Sequence, residues 1–311
     1  MPTLVSIASG KGGVGKSVVA SNLGLLLARH GKRVVLVDLD IGGANLHILF
    51  GQLQPSKSIT DFISRKVESL DEVAQEVEWG GGLRLIPGTG QTLATANLPY
   101  AKKQRLMRHL KHLNADIVLL DCPPGTSYQS LDFFLQGDAQ VVVANPDPTS
   151  VIELYRFLKL AALRKVLTQV LGREQSHIKA SLMEEEFSNI DEVLTAIGYD
   201  DFRIREAAEH TLLEFNPLFV LNRLTPDSKL TIAYLQQMVG KFIGGDLVML
   251  GEIPADESVE QSMRVFQPVV DLAPNCPASK ELDLIMNRLL LFIAHQQRFS
   301  FQVGTLAKQN C

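Results

Sequence analysis

Cysteine is scarce in this chain: Cys122, Cys276 and Cys311 are the three in 311 residues, and no two are spaced as a CxxC pair. That excludes a disulfide framework and a zinc site built on cysteine pairs, and it points to a reducing compartment. Neither sign of charge is in excess. A net charge of -4 leaves no basic coat for tight, non-specific nucleic-acid binding, although a local basic patch could still meet a phosphate backbone. Long apolar runs are missing too. None approaches the roughly 20 residues of a membrane span; Leu284 to Ala294 comes nearest, and Asn287 and Arg288 interrupt it. The first residues hold no charged stretch followed by a long apolar one, since Thr3 to Ala8 is a strand's length and leads straight into glycines. A soluble, cytoplasmic protein is expected. Low-complexity linkers and internal repeats are also lacking, and a 46% hydrophobic content excludes disorder.

What is present is a rhythm. Short runs rich in Val, Ile and Leu recur at Leu4–Ser9, Val34–Asp38, Leu83–Pro87, Ile117–Asp121, Val141–Asn145, Leu218–Asn222 and Leu247–Gly251. Each suits a strand covered on both faces. Helical patterns lie between them, as at Lys16–His30, which Gly31 closes. Strand and helix in series predict an α/β fold, a doubly wound and mostly parallel sheet of about 7–8 strands. We expect one domain over residues 1–295 and a tail over 296–311. From about Val151 to Glu214 no strand pattern appears, and the expectation is a helical insertion over about 160–214. Its acidic residues (Glu184, Glu185, Glu186, Asp191, Glu192) read as a solvated face, with a partner-docking element as the alternative.

The chemistry begins at Gly10-Lys11-Gly12-Gly13-Val14-Gly15-Lys16-Ser17. The spacing from Gly10 to Gly15-Lys16-Ser17, after a strand and opening a helix, is the P-loop pattern. Glycines let the backbone wrap around phosphates with the positive end of a helix behind it. Lys16 is expected between the β- and γ-phosphates, and the Ser17 hydroxyl on Mg²⁺. Asp38 and Asp40 leave the end of the second strand, where such sheets hold ligands. Asp121 ends another apolar strand, followed by Cys122-Pro123-Pro124-Gly125. No base is identifiable beside Cys122, which reads as a neighbour of the site and not as a nucleophile.

The run from Lys11 to Ser17 resembles the deviant Walker A motif of the MinD/ParA superfamily, which includes Mrp-type carriers and the nitrogenase iron protein. The resemblance implies a Mg²⁺-dependent ATPase whose first lysine, Lys11, reaches the partner subunit's nucleotide in an ATP-bound homodimer. It implies that Asp38 helps hold Mg²⁺ through water, that Asp40 orients the attacking water, that Asp121 bonds a magnesium-bound water, and that Gly125 senses the γ-phosphate. Val18 follows the loop within the nucleotide-binding run. Val220-Leu221-Asn222-Arg223 resembles the strand end that supplies an adenine-reading Asn. Leu250 to Asp256, with Pro254, resembles the loop that packs on the base.

Within the superfamily, Gly42-Gly43-Ala44-Asn45-Leu46 and Asn145-Pro146-Asp147-Pro148-Thr149-Ser150-Val151 look like the branch of flagellar-number regulators, FlhG or FleN, so flagella are the leading expectation for the process controlled. Asp121 to Thr126 is closer to the Mrp-type carriers, which bear a CxxC that this chain lacks, so no iron–sulfur cluster is expected. The glutamine-containing activation motif of FlhG has no room ahead of the first strand. The stretch after His295 reads as a poor interfacial helix, short of cations and with a glycine. A protein partner is expected, with the inner face of the membrane or DNA as other contacts. One helix carries Lys102, Lys103, Arg105, Arg108, His109, Lys111 and His112 around the stripe Leu106, Leu110, Leu113. Its basic face reads as solvated, or as a contact for DNA, acidic lipid or an acidic protein.

Overall fold

In a computed structural model the chain is described over residues 1–79, 81–88, 98–171, 187, 189–198, 202–228, 237 and 247–309. Among the described residues eight strands form one sheet: β1 (Thr3–Ala8), β2 (Val34–Asp38), β3 (Gln75–Glu76), β4 (Leu83–Ile86), β5 (Ile117–Asp121), β6 (Ala139–Ala144), β7 (Leu218–Leu224) and β8 (Val248–Pro254). Their order is β3-β4-β2-β5-β1-β6-β7-β8. Every pairing is parallel except β3 with β4. The short β3 has no apolar run, because a two-residue edge strand needs none, and the sequence reading missed it. Strand β8 extends to Pro254, so part of the stretch expected as a loop is a strand, and the turn proper is Ala255 and Asp256.

The central strands are apolar along most of their length because each feeds two cores. In β5, Ile117 and Leu119 pack on one face while Val118 and Leu120 pack on the other. The first face is covered by α1 (Lys16–Arg29). The second is covered by α2 (Ile59–Ile63), α3 (Tyr100–Leu110), α4 (Tyr128–Phe134), α5 (Pro148–Gln169), α6 (Ile190–Gly198) and α7 (Phe202–Leu213). The chain then returns to the first face through α8 (Glu257–Arg264), α9 (Val269–Leu272) and α10 (Pro277–Gln309). Helix α1 ends as its sequence predicts. The Gly31 N–H donates to Ala28 O at 2.9 Å and the Lys32 N–H to Leu27 O at 3.2 Å, which satisfies two terminal carbonyls.

In the stretch expected as a helical insertion, the described elements are α5, α6 and α7; Glu184, Glu185 and Glu186 lie outside the described residues. Helix α10 runs on to Gln309, through the stretch expected as a tail. Among the described residues no helix is long and apolar enough to cross a membrane.

The basic helix α3 proves partly committed. Arg105 donates to Phe62 O at 2.8 Å with its guanidinium 4.0 Å from the Phe62 ring centroid. Lys103 bonds Asp132 of α4, which also receives Arg164 of α5 at 2.8 Å. Burial alone would raise the Asp132 carboxyl, but hydrogen bonds from Arg164 and Lys103 outweigh it and hold the group below its ordinary range. A carboxyl lowered on folding stabilises the fold above its unfolded pKa, and that stabilisation is lost as pH falls through the folded value. Asp132→Ala is therefore expected to cost about 1–3 kcal/mol near neutrality, between the surface and buried cases. Denaturant unfolding should show the gap from wild type narrowing below about pH 4.

Candidate functional site

The sheet reverses direction at β1, which lies between β5 and β6 while β2 lies beyond β5. A crevice forms at the carboxyl ends of strands at such a point. The phosphate loop leaves β1 into it. Ser9 Oγ donates to Lys11 O at 2.9 Å, and the loop passes into α1 at Lys16. Two of its glycines answer to close neighbours. A Cβ at Gly10 would stand 2.2 Å from the Glu153 carbonyl oxygen in α5, so the loop rests on that helix's backbone. Gly15 has φ +88° and a Cβ there would meet Asn222 Nδ2 at 2.2 Å. Gly12 and Gly13 have nothing within 4 Å of an added Cβ, which leaves that backbone open to a ligand.

A cleft of about 390 Å³ is lined by Gly12 to Val18, Asp38, Asp40, Asp121 and Arg223 among others. Strand register explains the carboxylates. Asp38 and Asp121 are Cα partners across β2 and β5, both at the carboxyl end and both about 1% exposed. Lys16, 6% exposed, bonds Asp121, and Ser17 Oγ donates to the other Asp121 oxygen at 2.6 Å. Asp38 accepts the Asp40 N–H at 3.1 Å and the Leu46 N–H at 3.2 Å, which folds the Asp38–Leu46 loop over the crevice. Gly88 packs beneath: its Cβ would lie 3.2 Å from Asp38 Cγ. Sequence reasoning passed it over, although Pro87-Gly88 at a strand end is a turn signal.

Electrostatics set what the site lacks. Two buried carboxyl groups converge beside one ammonium, and a cation bound there would favour their ionised forms. Burial, reinforced by the neighbouring Asp121, pushes the Asp38 carboxyl up to about 8. Burial also raises Asp40, opposed by Lys16. It works against the Lys16 ammonium, but Asp121 beside it prevails and raises that group. Oxygen donors converging in the cleft suit a magnesium ion, whose charge would draw the Asp38 carboxyl down to its ionised form, with Ser17, Asp38 and Asp121 as the groups that fit it. Cys122 is fully buried behind them, and burial drives its thiol far above the ordinary range. A thiolate nucleophile is not available there.

A second cavity of about 220 Å³ continues from the cleft, sharing Gly15, Val18, Arg223 and Met263 with it. Asn222 and Pro254, singled out in the sequence, line it. Asn222 Nδ2 donates to Val14 O at 2.8 Å, which ties the end of β7 to the phosphate loop and leaves the side-chain oxygen as an acceptor. Arg223 adopts φ +59°, a left-handed turn at the rim. Val259, Glu260 and Met263 of α8 complete the wall, and sequence reasoning missed them. Their one local signal was Asp256, which caps α8 by accepting the Ser258 N–H at 2.9 Å.

Three expected residues stand apart. Gly10 packs on α5 in place of facing the cavity. Gly125 donates its N–H to Ser9 O at 3.0 Å beside the loop. Lys11 turns away from its own cleft: its Nζ bonds Asp147 Oδ1 at 3.1 Å and Thr149 Oγ1 at 2.7 Å, at the start of α5.

Known proteins resemble this chain in sequence and fold. The ParA family model, described as the NUBPL iron-transfer P-loop NTPase, matches residues 1–173. The antiactivator FleN of Pseudomonas aeruginosa is 26% identical over 278 residues, covering 89% of this chain and 82% of FleN. The septum site-determining protein MinD of Bacillus subtilis is 28% identical over 221 residues, 68% of this chain and 81% of MinD. Among solved structures, MinD of Pyrococcus horikoshii complexed with Mg-ADP superposes with a TM-score of 0.61 at 18% identity, covering 95% of this chain and 99% of that one. The family match takes in β1 through α5, hence the phosphate loop and all three aspartates, and the chain belongs to the ParA/MinD family of P-loop NTPases, with FleN among its relatives.

Proposed function

We propose that the chain is an ATP-dependent switch that dimerises with ATP bound and hydrolyses it slowly, and that it governs the placement or number of a cellular structure, flagella foremost. The observation that carries the dimer is Lys11. Its ammonium is held by Asp147 and Thr149, outside the cleft lined by its own loop. A phosphate-loop lysine aimed away from its own nucleotide fits service to a second subunit. The MinD and FleN relatives support the site-determining task, which we assign to one ATPase domain over residues 1–295.

The nucleotide's phosphates would lie along the open backbone at Gly12 and Gly13, with the base against Asn222, Arg223 and Pro254. In the free protein Asp121 engages both Lys16 and Ser17. Binding would transfer Lys16 to the β- and γ-phosphates and free Ser17. A bound magnesium ion would neutralise charge on those phosphates. Asp40, half-buried at the rim, would orient a water molecule whose oxygen attacks the γ-phosphorus as the bond to ADP breaks. Positioning of this kind supplies most of the catalysis in phosphoryl transfer.

Lys11→Ala tests the reading. Labelled ADP should bind as in wild type, within about threefold. Hydrolysis should fall at least about 10²-fold, as when a trans-acting cation is lost, and the ATP-dependent dimer should vanish in sedimentation. A Lys11→Ala protein that dimerises and turns over like wild type would end the proposal.

An iron–sulfur carrier is the second reading, favoured by the family model's description. Against it, Cys122 sits in the core on one face of the sheet and Cys276 packs on the other. Iron retained after anaerobic purification would support the carrier. DNA partitioning predicts ATP-dependent DNA binding that weakens steeply with salt.

A further inference from the structure

Among the described residues a cavity larger than the nucleotide cleft, about 670 Å³, lies at the opposite end of the sheet, where β1 and β5 begin. Packing defects in protein interiors are far smaller, and this volume is that of a small-molecule site.

Its walls differ in chemistry. One is helix α10, which presents Leu290, Ile293 and Ala294. The other is basic: Lys32 and Arg33 enter from the turn after α1, and Lys111 from the end of α3. Asp116 is the acidic residue in the lining, and Arg33 consumes it. The Arg33 N–H and guanidinium reach both Asp116 oxygens at 2.7–3.3 Å, and Arg33 Nη1 also donates to Asn114 Oδ1 at 2.8 Å. Arg33 and Asp116 thus cancel. Lys32 and Lys111 remain, both exposed, and neither side chain is bonded or ion-paired among the described residues. In a chain of net charge -4, two ammonium groups without a direct ion pair stand over an apolar wall.

The carboxyl ends of α1 and α3 both meet here, and their dipoles attract the lysines. That accounts for cations at the rim but not for a cavity of this size beneath them. We infer that this cavity binds a phosphate-bearing ligand with an apolar body, its phosphate between Lys32 and Lys111 and its body along α10. A soluble phosphate ester and the headgroup of a lipid share this chemistry. The site is separate in space from the nucleotide cleft, and its lining shares no residue with the cleft or the second cavity.

The test uses the full chain saturated with Mg·ADP, so that the phosphate loop is filled. Short-chain dihexanoyl phosphatidic acid is titrated calorimetrically, and phosphatidylcholine vesicles containing phosphatidic acid are tested by co-sedimentation. The expected result is binding of at least one probe, weakened at least about tenfold by Lys32→Glu with Lys111→Glu. Ala294→Trp, which fills the cavity without changing charge, should weaken it as strongly. Lys102→Glu with Arg108→Glu, on α3 outside the lining, should change it less than about twofold. Binding of the soluble probe alone assigns a free ligand, and vesicle binding assigns a headgroup. Unchanged far-UV circular dichroism and ATP hydrolysis show that the variants are folded. Absence of binding by either probe overturns the inference. So does weakening by the lysine pair without weakening by Ala294→Trp, which would place the anion on open surface.

Discussion

Replacing Asp40 by alanine is expected to lower the rate of ATP hydrolysis by about 10²–10⁴-fold, the range for losing a positioned carboxylate that handles the attacking water's proton. Labelled-ADP affinity should change little. The geometry separates the two effects. Lys16, Ser17 and the loop backbone are the groups proposed to hold phosphate, and none of them bonds the Asp40 side chain. Asp40 stands at the mouth of the cleft on the Asp38–Leu46 loop, half-buried, with its backbone anchored to Asp38. A single-turnover measurement with radiolabelled ATP checks the rate, and an equilibrium titration checks the affinity. An Asp40→Ala protein that hydrolyses ATP at the wild-type rate would remove Asp40 from the chemistry.

Gly10→Ala carries the largest structural effect. The new methyl would meet the backbone of Glu153 and Leu154 at 2.2–2.5 Å, and helix backbone packed on the core cannot rotate aside. Leu154, Phe157 and Leu158 of that helix are fully buried. Either the loop lifts or α5 shifts against its core, at a cost of about 3 kcal/mol or more. Gly12→Ala is the control. Its methyl meets nothing within 4 Å, so stability should stay within about 0.5 kcal/mol of wild type while nucleotide affinity drops. Thermal and denaturant unfolding of the two variants check the contrast. Equal melting of both would show that the loop does not rest on α5.

These two residues mark what the sequence made legible. Gly10 to Ser17 is a local pattern, so its chemistry could be read before any fold was known. Asp38 and Asp121 were readable as strand ends, and the parallel register of β2 and β5 then set them side by side. The sheet itself announced its strands because doubly covered strands are continuous apolar runs. Contacts across long sequence distances were not legible. The bond from Lys11 to Asp147 spans 136 residues, and nothing near either residue signals it. Val259 and Met263 reach the second cavity through the packing of α8, a helix whose local sequence marks its start and not its destination. The basal cavity has no motif at all, because its basic residues come from separate turns and its apolar wall from α10.

The dimerising switch stands most directly on sedimentation of the Asp40→Ala protein, in which bound ATP persists long enough to be seen. With saturating Mg·ATP it should sediment as a dimer, and with Mg·ADP as a monomer. A monomer under both conditions, with ATP binding verified in the same sample, would contradict the shared-nucleotide account.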